Sequence, residues 1–223
     1  MKILFSVLLL SLSVAVGAQC NYYYLQNNKT VTMGTYDKKG AQNGKCVYKI
    51  SNVSKSGGTT SANVHSEVFD KKGKSIGGGA GNMQCKNGQL LMDMKMLMNP
   101  QQMQQFKNAT VEGRGDYMEY PTSVSVGQQL SDASFSLDIK SDNGMPASMD
   151  MDITNRKVEA KEKVTIPAGS WEAYKITYNS KMTMTTMGIP IKMQMQMTEW
   201  FVPDFGIIKT ESKWGKTELL SIE

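Results

Sequence analysis

Histidine is almost missing from this chain, because only His65 among its 223 residues carries an imidazole. Its neighbours are Ser66 and Glu67, but adjacent residues of an alternating strand face opposite ways, so these three cannot form a catalytic triad. The glycine-rich run 77–81 is not followed by the Lys-Ser or Lys-Thr pair of a phosphate-binding loop. We therefore predict no catalytic residue and no cofactor, which means a protein that is not an enzyme.

Long hydrophobic runs are lacking beyond the first 18 residues. The first 18 residues carry one lysine near their start, continue as a short apolar run and end with Val16, Gly17 and Ala18. That pattern is typical of a secretory signal peptide and is too short for a retained transmembrane helix. We predict removal of residues 1–18 and one β-rich domain over 19–223, with no transmembrane segment. Its predicted location is the periplasm, the outer-membrane surface or the outside of a bacterial cell.

Cysteine is also scarce, and the three present form an odd set: Cys20, Cys46 and Cys85. No spacing among them resembles a zinc site, so we expect no metal ligands here. In an oxidising compartment, one disulfide and one remaining thiol is the plain interpretation. The alternative is a lipid-modified Cys20 with Cys46 paired to Cys85, although Gln19 is a poor residue before a lipidated cysteine.

Clustered charge of one sign is lacking as well, despite a formal net charge of +5. The lysine pairs Lys38-Lys39 and Lys71-Lys72 each lie beside an aspartate and a glycine, as in solvated turns. A nucleic-acid surface would need clustered basic residues with stacking aromatics. We therefore expect no nucleic-acid partner.

Helical periodicity is nearly absent, and short alternating segments separated by Gly, Asn, Asp and Pro recur instead. This predicts an all-β, antiparallel meander, curled into a half-open barrel or a sandwich because a long open sheet would expose its edges. The segment Lys86-Asn87-Gly88 predicts a hairpin turn. One short helix is predicted near residues 100–106, where Asn99 can cap it and Pro100 suits its first position.

Methionine is what the chain has in abundance, with 18 copies. Apolar and polar residues alternate strictly in 191–198, and the same alternation occurs in 90–98 and 148–153. Several strands should therefore direct methionines to one side of a sheet. The candidate ligand-binding residues are Met92, Met94, Met96, Met149, Met151, Met193, Met195, Met197 and Trp200.

Three roles are open for these methionines. Their flexible thioethers could line a concave face that binds a lipid-like or other hydrophobic molecule. They could instead fill the core of a structural module that contacts another envelope protein. Thioethers also bind Cu(I), but a metal would need sulfur atoms converging from neighbouring strands.

Two hairpin-like motifs carry a family resemblance. They are Val164-Thr165-Ile166-Pro167-Ala168-Gly169-Ser170-Trp171 and Glu199-Trp200-Phe201-Val202-Pro203-Asp204-Phe205-Gly206. The chain resembles the TapB-like domain-of-unknown-function family of secreted bacterial proteins. That family has no assigned reaction, so the resemblance implies no catalytic residue.

The resemblance implies an antiparallel β structure akin to periplasmic half-barrels that hold lipid-like ligands. It also implies a disulfide between Cys20 and Cys85, with Cys46 as the extra cysteine. A bridged Cys20 cannot carry an acyl chain, so this pairing counts against lipid modification.

Overall fold

The structure, a computed structural model, describes residues 20–97, 109–115, 117–141 and 146–223, and the strands of these ranges form one antiparallel sheet. In chain order they are β1 (Thr30–Asp37), β2 (Gln42–Ser56), β3 (Thr59–Asp70), β4 (Ser75–Lys86), β5 (Gln89–Asp93), β6 (Ala109–Gly115), β7 (Tyr117–Tyr120), β8 (Ala133–Ser141), β9 (Pro146–Ile166), β10 (Gly169–Thr186), β11 (Ile189–Val202), β12 (Gly206–Ser212) and β13 (Gly215–Ile222).

The sheet curls into a nearly closed barrel, which confirms the all-β prediction in its barrel form. Its strand order is β6-β8-β9-β10-β11-β12-β13-β1-β2-β3-β4-β5-β7, so most neighbours in space are also neighbours in sequence. Such a meander needs only short turns. Asn87 and Gly88, between β4 and β5, both have positive φ (52° and 80°), which matches the predicted hairpin turn.

One predicted strand is shorter than expected. The alternation of residues 90–98 predicts a strand throughout, but β5 ends at Asp93 and a 3₁₀ helix covers Met94–Leu97. The Asp93 carboxylate accepts a hydrogen bond from the Lys95 backbone N–H at 2.9 Å, and this local bond turns the chain out of the sheet. The short helix predicted near residues 100–106 lies outside the described residues.

A glycine of β4 makes room for the chain after this turn. A Cβ atom on Gly81 would lie 2.5 Å from Cγ of Met96. Only the bare backbone of Gly81 therefore lets the Met96 side chain lie against β4. The glycine-rich run 77–81 thus includes a position where a side chain packs directly on the backbone.

The two ends of the barrel differ. One end, called here the closed end, is covered by the amino-terminal segment, where a 3₁₀ helix spans Tyr23–Leu25. The Tyr23 backbone N–H donates to the Asp204 carbonyl at 3.0 Å, and a disulfide joins Cys20 to Cys85. That pairing is the one implied by the family resemblance, and Cys46 is a free, buried cysteine.

The opposite end, called here the mouth, carries the turns 38–41, 71–74, 187–188 and 213–214, which all lie at the same ends of their antiparallel strands. The β10–β11 hairpin extends past its neighbour, since pairing between β11 and β12 stops at Met197 and Ser212. Within the described ranges, no helix has the length and apolar character needed to cross a membrane.

Candidate functional site

A cavity of about 920 Å³ occupies the barrel interior. Pockets that bind small molecules measure roughly 300–1,000 Å³, so this volume suits a substantial ligand. Nine methionines from the described part of the chain line it: Met33, Met83, Met92, Met96, Met151, Met182, Met193, Met195 and Met197.

The methionines of β9, β10 and β11 form one continuous wall. Met151, Met182 and Met193 are direct partners across these three strands. In an antiparallel pair, such partners have Cβ atoms about 4.5–5.5 Å apart on the same face. Next to them along β11, Met195 and Met197 pair with Ser180 and Tyr178. The strict alternation of β11 thus places its sulfur atoms on the inner face.

The opposite wall comes from the other half of the barrel. Met33 lies on β1, Met83 on β4 and Met92 on β5, while Met96 reaches the cavity from the 3₁₀ helix. Met33, Met83 and Met182 were not among the predicted residues. The alternation Met182-Thr183-Met184 is a sequence signal that indicates Met182. Met33 and Met83 are isolated in the sequence, so their place in the cavity follows only from the order of the strands in the sheet.

Three of the predicted ligand residues do not line the cavity. Met94 and Met149 are 0% and 1% exposed and belong to the core, so they pack against protein instead. Trp200 lies on the outer face of β11, as its even position in the alternation of this strand requires. Its indole N–H donates to a Glu162 carboxylate oxygen at 2.7 Å, and the Lys209 ammonium lies 4.4 Å from its ring.

Polar side chains occupy a separate part of the cavity lining. Thr35, Asn43, Ser66, Thr210 and Thr217 contribute hydroxyl and amide groups. Asp70 is the one charged residue among the described lining residues, and its carboxylate already accepts hydrogen bonds from the backbone of its own turn. The cavity is therefore mainly apolar on the β9–β11 side and hydrogen-bonding on the side formed by the contiguous strands β12, β13, β1, β2 and β3.

The free thiol of Cys46 also faces the cavity. Burial raises the pKa of this thiol, and a hydrogen bond with Tyr48 opposes the shift only in part. A thiol with a raised pKa is a weak nucleophile because the thiolate is the reactive form. Cys46 is thus suited to packing in the cavity wall and not to nucleophilic chemistry.

A buried charged pair lies behind the tyrosines of the cavity wall. Arg156 and Glu199 are both 0% exposed, with Nη2 and Oε1 3.9 Å apart. The Arg156 guanidinium donates to the carbonyls of Glu119 and Ser131, both at 2.9 Å, and lies 4.9 Å from the Tyr120 ring. The Tyr120 hydroxyl donates to Glu199 at 2.9 Å.

This pair is incompletely hydrogen-bonded. Within the described structure, Nε and Nη2 of Arg156 and Oε2 of Glu199 make no hydrogen bond. Burial raises the pKa of Glu199 to about 7, although Arg156 and the Tyr120 hydroxyl act in the opposite direction. Glu199 is consequently a carboxyl group that can hold a proton near neutral pH.

No group of three or more His, Cys, Asp or Glu side chains in the described ranges is arranged to hold a metal ion. Thioether sulfur, by contrast, selects soft cations such as Cu(I). The row Met151, Met182 and Met193 supplies three such sulfur atoms from adjacent strands.

Two solved structures share this fold. One is a protein of Bacteroides fragilis described as exported and as having a YmcC-like fold, with a TM-score of 0.70 and 23% identity. The other is a protein of Parabacteroides distasonis described as a lipoprotein, with a TM-score of 0.72 and 19% identity. Each alignment covers 89% of this chain and 96% of the other chain.

No curated protein matches the sequence. A family model does match, over residues 26–223, and its description is DUF3108-like. This match confirms the resemblance to a domain-of-unknown-function family. It does not confirm the narrower TapB-like name, because the matching family model carries a different one. With nearly the whole described chain inside the match, the protein belongs to the DUF3108-like family.

Proposed function

We propose that this protein is an exported, non-enzymatic binding protein for an apolar or amphipathic molecule, held in the methionine-lined cavity. The observation that carries the proposal is the inner wall of β9–β11, where methionines on neighbouring strands face an open interior instead of a second packed layer. Unbranched thioether side chains adapt to flexible hydrocarbon chains.

The two sides of the cavity suit an amphipathic ligand in particular. Its hydrocarbon part would contact the methionine wall, and its polar part would meet Thr35, Asn43 and Ser66 on the other side of the cavity, on β1, β2 and β3. Export is supported by the signal-peptide pattern of residues 1–18 and by the description of the B. fragilis neighbour as exported. Met94 and Met149 pack as core residues, whereas nine other methionines line the cavity, and this arrangement favours ligand binding over a purely structural role.

The test is saturable uptake of a dansyl-labelled undecanoic acid by delipidated protein. Replacing Met193 and Met195 with aspartate places two carboxyl groups in the apolar wall. Each would lose its hydration when the hydrocarbon chain binds, so affinity should fall by at least about 100-fold. Fluorescence titration gives the dissociation constant, and circular dichroism checks that the variant is folded.

The matched control lies on the same strand and faces the other way. Gln194→Asp with Gln196→Asp adds the same two charges to the exposed outer face of β11. Uptake by this control should match that of the wild-type protein. Equal uptake by the Met193→Asp/Met195→Asp variant would contradict binding in the cavity.

Cu(I) binding is a second candidate because Met151, Met182 and Met193 lie side by side. Leucine keeps the apolar surface but removes the sulfur. Met193→Leu should therefore retain fatty-acid uptake, and it should abolish any competition with a weak Cu(I) chelator. If wild-type protein does not compete with the chelator, the copper candidate is wrong.

A further inference from the structure

An exposed apolar strip continues the methionine wall out of the cavity. Along the inner face of β11, the residues beyond Met193 are Ile191 and Ile189, followed by Met187 in the turn. Their exposures are 59%, 68% and 66%, and Trp214 of the β12–β13 turn is 65% exposed. Four of the six exposed large hydrophobic residues in the described ranges thus lie around the mouth.

Lysines surround the same opening. Three turns at the mouth carry six exposed lysines: Lys38, Lys39, Lys71, Lys72, Lys74 and Lys213. The same turns carry two aspartates, Asp37 and Asp70, whose carboxylates accept hydrogen bonds from backbone N–H groups of their own turns. The six lysines therefore outnumber the two carboxylates. The turns at the closed end lack such clusters, with Lys55 and Lys86 separated along the chain.

We propose that the mouth docks on the surface of a lipid bilayer that carries anionic headgroups, with Met187, Ile189 and Trp214 inserted and the lysines of the turns against the phosphates. The inference goes beyond the proposed function, since docking does not require a filled cavity. It also gives the ligand a route, because the apolar strip leads from the membrane into the methionine wall.

The pairing of residue types favours a bilayer over a protein partner. A flat protein interface would bury a compact apolar centre within a polar rim, whereas these apolar residues sit at separate hairpin tips. Aromatic and aliphatic side chains at tips can enter the interfacial region, while flanking lysines remain at headgroup level. Each lysine near an anionic surface adds to the attraction, which salt screens.

The test is sedimentation of the full mature protein with phosphatidylcholine vesicles, with or without one-third phosphatidylglycerol. Binding should require the anionic lipid and weaken as the salt concentration rises. Met187→Asp with Ile189→Asp should lower the partition coefficient by about 100-fold, and Lys71→Glu with Lys72→Glu by about tenfold or more. None of these four residues lines the cavity, so uptake of the dansyl-labelled acid from solution should be unchanged.

Two controls match these variants at other places on the surface. Val126→Asp changes an apolar residue that is 58% exposed but lies away from the mouth, and Lys55→Glu with Lys86→Glu reverses charge at the closed end. Both should bind vesicles like the wild-type protein. Docking is overturned if the wild-type protein does not bind anionic vesicles, or if these controls lose binding as strongly as the mouth variants.

Discussion

Replacing Arg156 with alanine should lower the free energy of unfolding by about 3–5 kcal/mol, because it leaves Glu199 as a buried carboxylate without its cation. The change also removes the donors to the carbonyls of Glu119 and Ser131, both of which are 2.9 Å from the guanidinium. The ring of Tyr120 loses the cation above it as well. Urea unfolding followed by circular dichroism measures the loss.

The loss of stability caused by Arg156→Ala should depend on pH. The pKa of Glu199 in the folded protein is raised to about 7, above its ordinary value of 4.5. Because the folded-state pKa is the higher of the two, protonation of Glu199 contributes to stability; this contribution is fully present below the unfolded-state pKa and is lost as pH rises through the folded-state pKa. Without Arg156 the carboxylate is even less favourable, so Arg156→Ala should cost less at about pH 5 than at about pH 8.

A double variant separates the pair from its surroundings. Glu199→Gln keeps the shape of the side chain and removes its charge, so Arg156→Ala with Glu199→Gln should cost less than the two single changes added together. Additive costs, or a loss below about 1 kcal/mol for Arg156→Ala at neutral pH, would contradict a coupled buried pair.

Replacing Cys20 and Cys85 with serine should lower the free energy of unfolding by about 4 kcal/mol. The disulfide closes a loop with a sequence separation of 65 residues, and opening it frees the unfolded chain. It also releases the segment that covers the closed end, where Tyr24 lines the cavity. Thermal and urea unfolding of the oxidised wild-type protein and the variant give the difference.

Cys46→Ala is the matched control for the disulfide. Cys46 is buried and carries a free thiol, so its replacement removes a cysteine without opening a covalent loop. We expect a loss of no more than about 1–2 kcal/mol from the small void. If reduction of the wild-type protein left its stability unchanged, the disulfide would contribute little.

The alternation of apolar and polar residues predicts the walls of the barrel well. In β11 it predicts which side chains face inwards, because a strand has a period of two and this strand has no irregularity between Ile191 and Thr198. Continued beyond Met197, the same period of two predicts that Met197 and Glu199 face the interior and that Trp200 faces outwards.

Other features depend on contacts that alternation does not contain. Arg156 follows Thr154 and Asn155 in a polar run that is typical of a solvated turn. Asn155 instead has a φ of 57°, and the register between β9 and β10 shifts here, which turns Arg156 towards the interior. Met33 and Met83 line the cavity because β1 and β4 lie on the wall opposite β9–β11, and isolated methionines give no sign of that arrangement.

The central claim, that the methionine wall binds the ligand, is tested most directly by NMR of ¹³C-labelled methionine methyl groups during titration with an unlabelled fatty acid. The methyl signals of Met182, Met193, Met195 and Met197 should shift together and saturate at one ligand per protein. Those of Met94 and Met149, which lie in the core, should shift far less. Saturable shifts confined to residues outside the cavity, or no shifts at all, would contradict the account.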